Sequence, residues 1–176
     1  MPEKPEEKIK SIEIALNNES RERDFYLMQS KRTTNNMGKL MFATIAQDED
    51  EHYKRLVELH EKLSQDGKWP ESVPLTVKGS NLKNVLKDFL TKAEMDKPGD
   101  IDDQEAIKIA IEFEEKGYKF YADLKTAVES DEEKKFFSIL SEMEKEHLLS
   151  LKDSLLYFED PVGWFASREK TTLDGC

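Results

Sequence analysis

Two short patterns in this chain have the residue types and spacing that ligand or acid–base chemistry needs: Glu49-Asp50-Glu51-His52 and Glu144-Lys145-Glu146-His147. Residues three apart are neighbours on one helix face, so Glu49 and His52 point the same way, as do Glu144 and His147. Glu51 is rotated off that face by about 100° and is expected to face outward. A lone glutamate, Glu19 or Glu114, stands thirty residues before the first glutamate of each pattern. Seven residues after each lone glutamate comes a tyrosine, Tyr26 or Tyr121. Seven residues is close to two helical turns, so glutamate and tyrosine share a face. All these residues match in pairs at an offset of 95 residues with no gap, and so do Ile12 with Ile107, Ala15 with Ala110, Phe25 with Phe120, Phe42 with Phe137 and Leu56 with Leu151. Each half is one helical hairpin on the same plan.

The spacing also fixes heights. The midpoint of 19 and 49 is 34, inside Thr33-Thr34-Asn35-Asn36, and the midpoint of 114 and 144 is 129, inside Val128-Glu129-Ser130-Asp131. Both stretches are turn- and cap-prone. A hairpin folded there brings each lone glutamate level with its Glu-x-x-His, about 22 Å from the turn. Two such hairpins face to face would converge four glutamates and two histidines in one core. Buried carboxylates are costly unless paired or bound to metal. The stripes carry no matching set of Lys or Arg, and Arg23 is the sole candidate. Two divalent cations would neutralise four carboxylates, and oxygen plus imidazole donors suit Fe, Mn or Zn. The candidate ligands are Glu19, Glu49, His52, Glu114, Glu144 and His147. Tyr26 and Tyr121 are expected to direct their hydroxyls at ligand carboxylates, because a buried phenol needs a partner and these lie on the same stripe. His60 has Val57 three before it and lies outside the repeat, which makes it a surface or packing residue.

The elements that must position these groups follow from periodicity. Apolar residues recur at three- and four-residue steps over about 6–32, 36–65, 103–128 and 131–158, giving four long helices. Gly67 suits a left-handed helix C-cap. Asp102 with Glu105, and Ser130 with Glu133, have capping-box spacing. The connection over 67–102 holds Pro70, Pro74, Pro98, Gly79 and Gly99, with one short amphipathic helix from Ser80 to about Glu94 that puts Leu82, Val85, Leu86, Phe89 and Leu90 on a face. A connection of that length can run along the bundle, so the second and third long helices are expected to be parallel. The expectation is an all-α four-helix bundle over 1–160. A tail over 161–176 lacks periodicity, and its Trp164 and Phe165 are expected to fold back onto the bundle.

Length and composition bound the rest. The 176 residues suit one domain. Charged and apolar residues each make up 37%, with seven Gly and six Pro, a balance that favours long solvated helices over a turn-rich sheet. A net charge of −11 argues against nucleic acid and anionic membranes as partners. Cys176 is the one cysteine, so an internal disulfide and a cysteine-ligated metal are excluded, and it reads as a tail thiol. The polar N-terminus lacks an apolar signal core and no stretch approaches a bilayer span, so a cytoplasmic protein is expected.

Two lone glutamates plus two Glu-x-x-His motifs form the ligand set of ferritin-like carboxylate proteins. Within that group the chain resembles the rubrerythrins over nearly its whole length. AIEFEEKGYKFY at 110–121 and SEMEKEHLLSL at 141–151 look like that family's third and fourth helices, and NNESRERDFY at 17–26 and AQDEDEHYKRL at 46–56 like its first two. The ending DPVGWFASREKTTLDG is similar to that of rubrerythrin-like single-domain proteins. The resemblance implies a ferritin-like bundle holding two iron ions, with Glu49 and Glu144 bridging and Glu19, Glu114, His52 and His147 terminal. It implies reduction of hydrogen peroxide, with ferrous iron oxidation by dioxygen or non-catalytic metal binding as the alternatives. A homodimer is expected. Rubrerythrins usually append a four-cysteine rubredoxin domain, which Cys176 alone cannot form, so an external, rubredoxin-like electron donor is implied. Family members also often carry an extra glutamate one turn after the third-helix ligand, associated with redox-linked metal movement. Gly117 stands there in this chain, whereas Glu22 occupies the corresponding place on the first helix and is a candidate additional ligand.

Overall fold

The computed structural model describes residues 5–69, 80–92 and 101–173. The six described elements are all helical: α1 (Pro5–Arg32), α2 (Asn36–Asp66), α3 (Leu82–Lys92), α4 (Ile101–Ala127), α5 (Asp131–Glu159) and α6 (Pro161–Leu173). The expected Pro70, Pro74, Gly79, Glu94, Pro98, Gly99 and Cys176, and the side chains of Phe89 and Leu90, lie outside the described residues.

Local chemistry sets the ends of the hairpins. At the α1–α2 turn the Asn35 side chain accepts the Gly38 amide at 2.9 Å, and the Thr33 hydroxyl accepts the Asn35 amide at 3.2 Å. Gly38 permits a close approach there: a Cβ would stand 3.2 Å from Thr33 Oγ1 and 3.3 Å from the Phe158 ring, tight enough that one of them must shift. Gly67 closes α2 at φ 64°, donating to Leu63 O at 2.9 Å. At the α4–α5 turn Ser130 Oγ accepts the Glu133 amide at 3.1 Å. The reciprocal half of that capping box is diverted, because the Glu133 carboxylate accepts Lys8 from α1 instead. Ser130→Ala should therefore cost about 1 kcal/mol, read as a lower urea midpoint at unchanged slope. At α4 the expected cap is not found: the helix already runs from Ile101, so Asp102 lies in its first turn, and Glu105 pairs with Lys108 at 2.9 Å. There Asp102 is an acidic residue near the positive helix end, and it lies 3.9 Å from the Arg32 guanidinium of α1.

The hairpins α1–α2 and α4–α5 pack face to face. Tyr26 reaches Glu114 and Tyr121 reaches Glu19, so α1 and α4 run antiparallel. Since α1 is also antiparallel to α2, α2 and α4 are parallel, as the long connection led us to expect. The apolar core splits in two around the polar level. One part gathers Met37, Met41, Phe42, Ile45, Ile107, Leu151 and Phe158. The other gathers Ile12, Ala15, Leu56, Leu59, Phe136, Phe137 and Leu140. Helix α3 packs against α2 and α5, with Leu82 and Leu86 buried in the first part.

The tail departs from expectation. Its first thirteen residues form α6 rather than an aperiodic segment. The Asp160 side chain accepts the Gly163 amide at 3.0 Å, and the Asp160 carbonyl accepts Trp164 N at 3.0 Å. Proline fits the first position of a helix, so Pro161 both ends α5 and starts α6. Trp164 and Phe165 do pack back, edge-on to Tyr157 with centroids 5.6 and 6.1 Å away.

Candidate metal centre

Each long helix delivers its share at one level: Glu19 from α1, Glu49 and His52 from α2, Glu114 from α4, and Glu144 and His147 from α5. All six side chains are at most 1% exposed. His52 Nδ1 lies 3.1 Å from Glu19 Oε2, 3.1 Å from Glu49 Oε2 and 3.3 Å from Glu144 Oε1. His147 Nδ1 lies 3.2 Å from Glu49 Oε1 and 3.5 Å from Glu114 Oε2. The imidazoles face each other at 6.1 Å. Two groups result, Glu19–Glu49–His52–Glu144 and Glu49–Glu114–Glu144–His147, and within each the donor atoms lie within 4.8 Å of one another. Glu49 and Glu144 belong to both groups.

These donors fit a pair of cations better than one another. Among the described residues, Glu49 Oε1, Glu114 Oε2, both Glu144 oxygens and His147 Nδ1 are buried with no hydrogen-bond partner. They crowd within ion-pair distance yet do not align for hydrogen bonds, and a buried unsatisfied carboxylate is costly. Among the described residues no Lys or Arg enters the level. Arg23 turns away to Asp24 and Asp50, with its guanidinium over the Tyr53 ring. Glu51 also turns away, half-buried and paired with Arg55 at 2.7 Å, while His60 meets Glu13 at the surface.

Metal-free, the electrostatics are strained in the way ligand groups are. Burial pushes the Glu19 carboxyl up to about 7, with His52 partly opposing. Burial, then the neighbouring Glu144, holds Glu114 well above the carboxylate range. For the imidazoles burial acts downward, but Glu19 and Glu49 around His52, and Glu114 and Asp48 around His147, win and hold both well above the usual value. Glu49 moves the other way from Glu19 and Glu114. Burial and Glu144 push it up, but the two histidines outweigh them and hold it below the usual value. Each cation that binds these groups must displace protons.

The tyrosines cross between hairpins. Tyr26 donates to Glu114 Oε1 and Tyr121 to Glu19 Oε1. The second oxygen of each glutamate is the one near the histidine, so each lone glutamate is left one oxygen for a cation. Burial holds both phenols well above their usual value, and they stay protonated donors.

The halves differ in two places. Glu22 is 9% exposed, and burial together with Glu144, Glu49, Glu19 and Glu114 pushes it far up. It belongs to neither ligand group. Its counterpart Gly117 sits where an added Cβ would touch the Glu144 side chain at 3.4 Å. The second difference escaped the sequence reading. Asp48 Oδ2 accepts His147 Nε2 at 3.0 Å and the Ser80 hydroxyl at 2.6 Å. These bonds outweigh burial and hold Asp48 below its usual value. The one signal in the sequence was a break in the repeat, where Met143 stands opposite Asp48.

Against known proteins, the family model described as rubrerythrin matches residues 10–155, which covers both hairpins and all six ligand candidates. No curated protein and no solved structure matches the chain.

Proposed function

Since the chain belongs to the rubrerythrin family, with two buried carboxylate–histidine groups suited to a binuclear metal site, we propose that it is a peroxide-reducing di-iron protein served by an external electron donor. The observation that carries this reading is the sharing of Glu49 and Glu144 between the two groups, the arrangement two adjacent ions with bridging carboxylates require. Glu19 and His52 would complete one position, and Glu114 and His147 the other. Two ferrous ions held there would supply the pair of electrons that peroxide needs, both becoming ferric.

The chain's own groups set the conditions. Reduction of peroxide to two waters consumes two electrons and two protons. The apolar layers on either side, with Phe42 and Ile45 below and Phe137 and Leu140 above, exclude bulk water from that level. Tyr26 donates its hydroxyl to Glu114 Oε1 and Tyr121 to Glu19 Oε1, which fixes the orientation of each terminal carboxylate. Tyr26→Phe and Tyr121→Phe should each weaken ferrous binding about tenfold, read by competition with a chromophoric chelator. The donor would be a small rubredoxin-like protein, the assembly a homodimer and the location cytoplasmic.

The test is stopped-flow mixing of the anaerobic ferrous-loaded protein with peroxide and, separately, with dioxygen. Faster oxidation by peroxide is expected, and equal or slower oxidation would overturn the peroxidase reading. Light scattering should give a dimer, since a large hollow oligomer would point to iron storage instead.

A further inference from the structure

The two halves repeat one plan, yet they do not treat their histidines alike. In both, Nδ1 faces the carboxylates, so a bound cation leaves the ring proton on Nε2. A ligating imidazole is fixed in ring angle and tautomer by whatever accepts that proton. His147 has such an acceptor, Asp48 Oδ2 at 3.0 Å. Among the described residues, His52 Nε2 is buried with no hydrogen-bond partner. The repeat explains the difference: Asp48 is matched by Met143, whose thioether cannot replace a carboxylate.

Asp48 is itself held from a third element. Ser80 donates its hydroxyl to Asp48 Oδ2 at 2.6 Å while its oxygen accepts the Leu82 amide at 3.1 Å. Leu82 opens α3 and is fully buried in the core. The connection between the hairpins thus reaches the site through a relay, α3 to Ser80 to Asp48 to His147. Nothing comparable among the described residues reaches His52. Glu22, the other break in the repeat, joins neither ligand group and so does not offset the difference.

We propose that the two metal positions are inequivalent and fill in order, with the Glu114–His147 position binding first because Asp48 and Ser80 hold His147 ready, and the Glu19–His52 position second. This rests on the di-metal reading above. A preset ligand loses less freedom on binding than one that must choose its angle and tautomer, so the first cation binds more tightly. Asp48 and Ser80 are positioning residues, since neither touches the ions.

Anaerobic titration with cobalt(II), followed by its visible d–d bands, is the test. Wild-type protein should bind two equivalents in two phases, the first at least about tenfold tighter. His147→Ala should remove the tight phase and His52→Ala the weak one. Asp48→Asn should weaken the first phase about 10- to 100-fold and leave the second where it was. Ser80→Ala, a milder surface change, should weaken the first phase only, by a few-fold, with an unchanged far-ultraviolet helix signal. A merely structural role for Asp48 would weaken both phases together. Two indistinguishable equivalents in the wild type, or equal losses in both phases for Asp48→Asn and Ser80→Ala, would overturn ordered filling and leave the di-metal reading intact. A wild-type protein that binds no cobalt would overturn both.

Discussion

Replacing Glu49 and Glu144 together by glutamine is expected to abolish uptake of both ions and to make the metal-free protein less stable than before. Both carboxylates are fully buried and shared between the two ligand groups, so their loss leaves each position one glutamate and one histidine. Glutamine keeps the volume, so no cavity term arises. It takes away the Glu49 carboxylate, which lies 3.1 Å from His52 Nδ1 and 3.2 Å from His147 Nδ1 at a level that no Lys or Arg enters among the described residues. Removing one partner of a buried ion pair leaves the other charge uncompensated, at a cost of about 3–5 kcal/mol. The wild type, in contrast, should gain about 2.7 kcal/mol per site when the ion stands at 100 times its dissociation constant. Equilibrium dialysis with metal analysis, joined to thermal unfolding with and without ferrous iron, measures both effects. A variant that still takes up two ions would remove these residues from the site. A metal-free variant as stable as the wild type would mean that Glu49 is not the partner that holds the two histidines charged.

The second large effect is a divergence with pH: between pH 5 and 8 the metal-free protein should lose stability while the metal-loaded protein holds or gains it. Glu19 is raised from 4.5 to about 7 in the fold. A raised group contributes stability that is complete below its unfolded value and is lost as pH climbs through its folded value, so the Glu19 contribution drains away between 4.5 and about 7. Glu22 and Glu114 are raised as well and act in the same direction. His52 and His147 are raised as well, so their contribution, complete below 6.5, is lost at the alkaline end. Asp48 and Glu49 are lowered, so theirs is present above 3.8 and 4.5 and is lost only on the acid side. Cations compete with the protons on these same groups, so their affinity rises with pH. Thermal unfolding across that range, with and without saturating metal, gives the two curves. Parallel slopes would mean that the protons and the metal occupy different groups.

The site's donors were legible in the sequence because helix geometry is local. Glu49 with His52, and Glu19 with Tyr26, share a face by spacing alone, and the 95-residue offset set the two hairpins to one height. The lack of basic residues on those stripes followed from the same count, and Arg23 does turn outward. Ser130 declared its cap by type and position. Pro161 misled, since a proline that ends one helix also suits the start of the next, and only the Asp160 side chain, folded onto Gly163, decides between the two.

What the sequence by itself determined is therefore which groups lie on which helix face and at which height. The tertiary structure alone decided which group meets which across helices far apart in the chain. Tyr26 serves Glu114 rather than its own half, Asp48 serves His147 at a distance of 99 residues, and Ser80 closes the chain from α3. The physical reason is that a helix fixes only neighbours three and four residues apart, whereas these contacts depend on how two hairpins and a connecting helix settle against one another in a close-packed core.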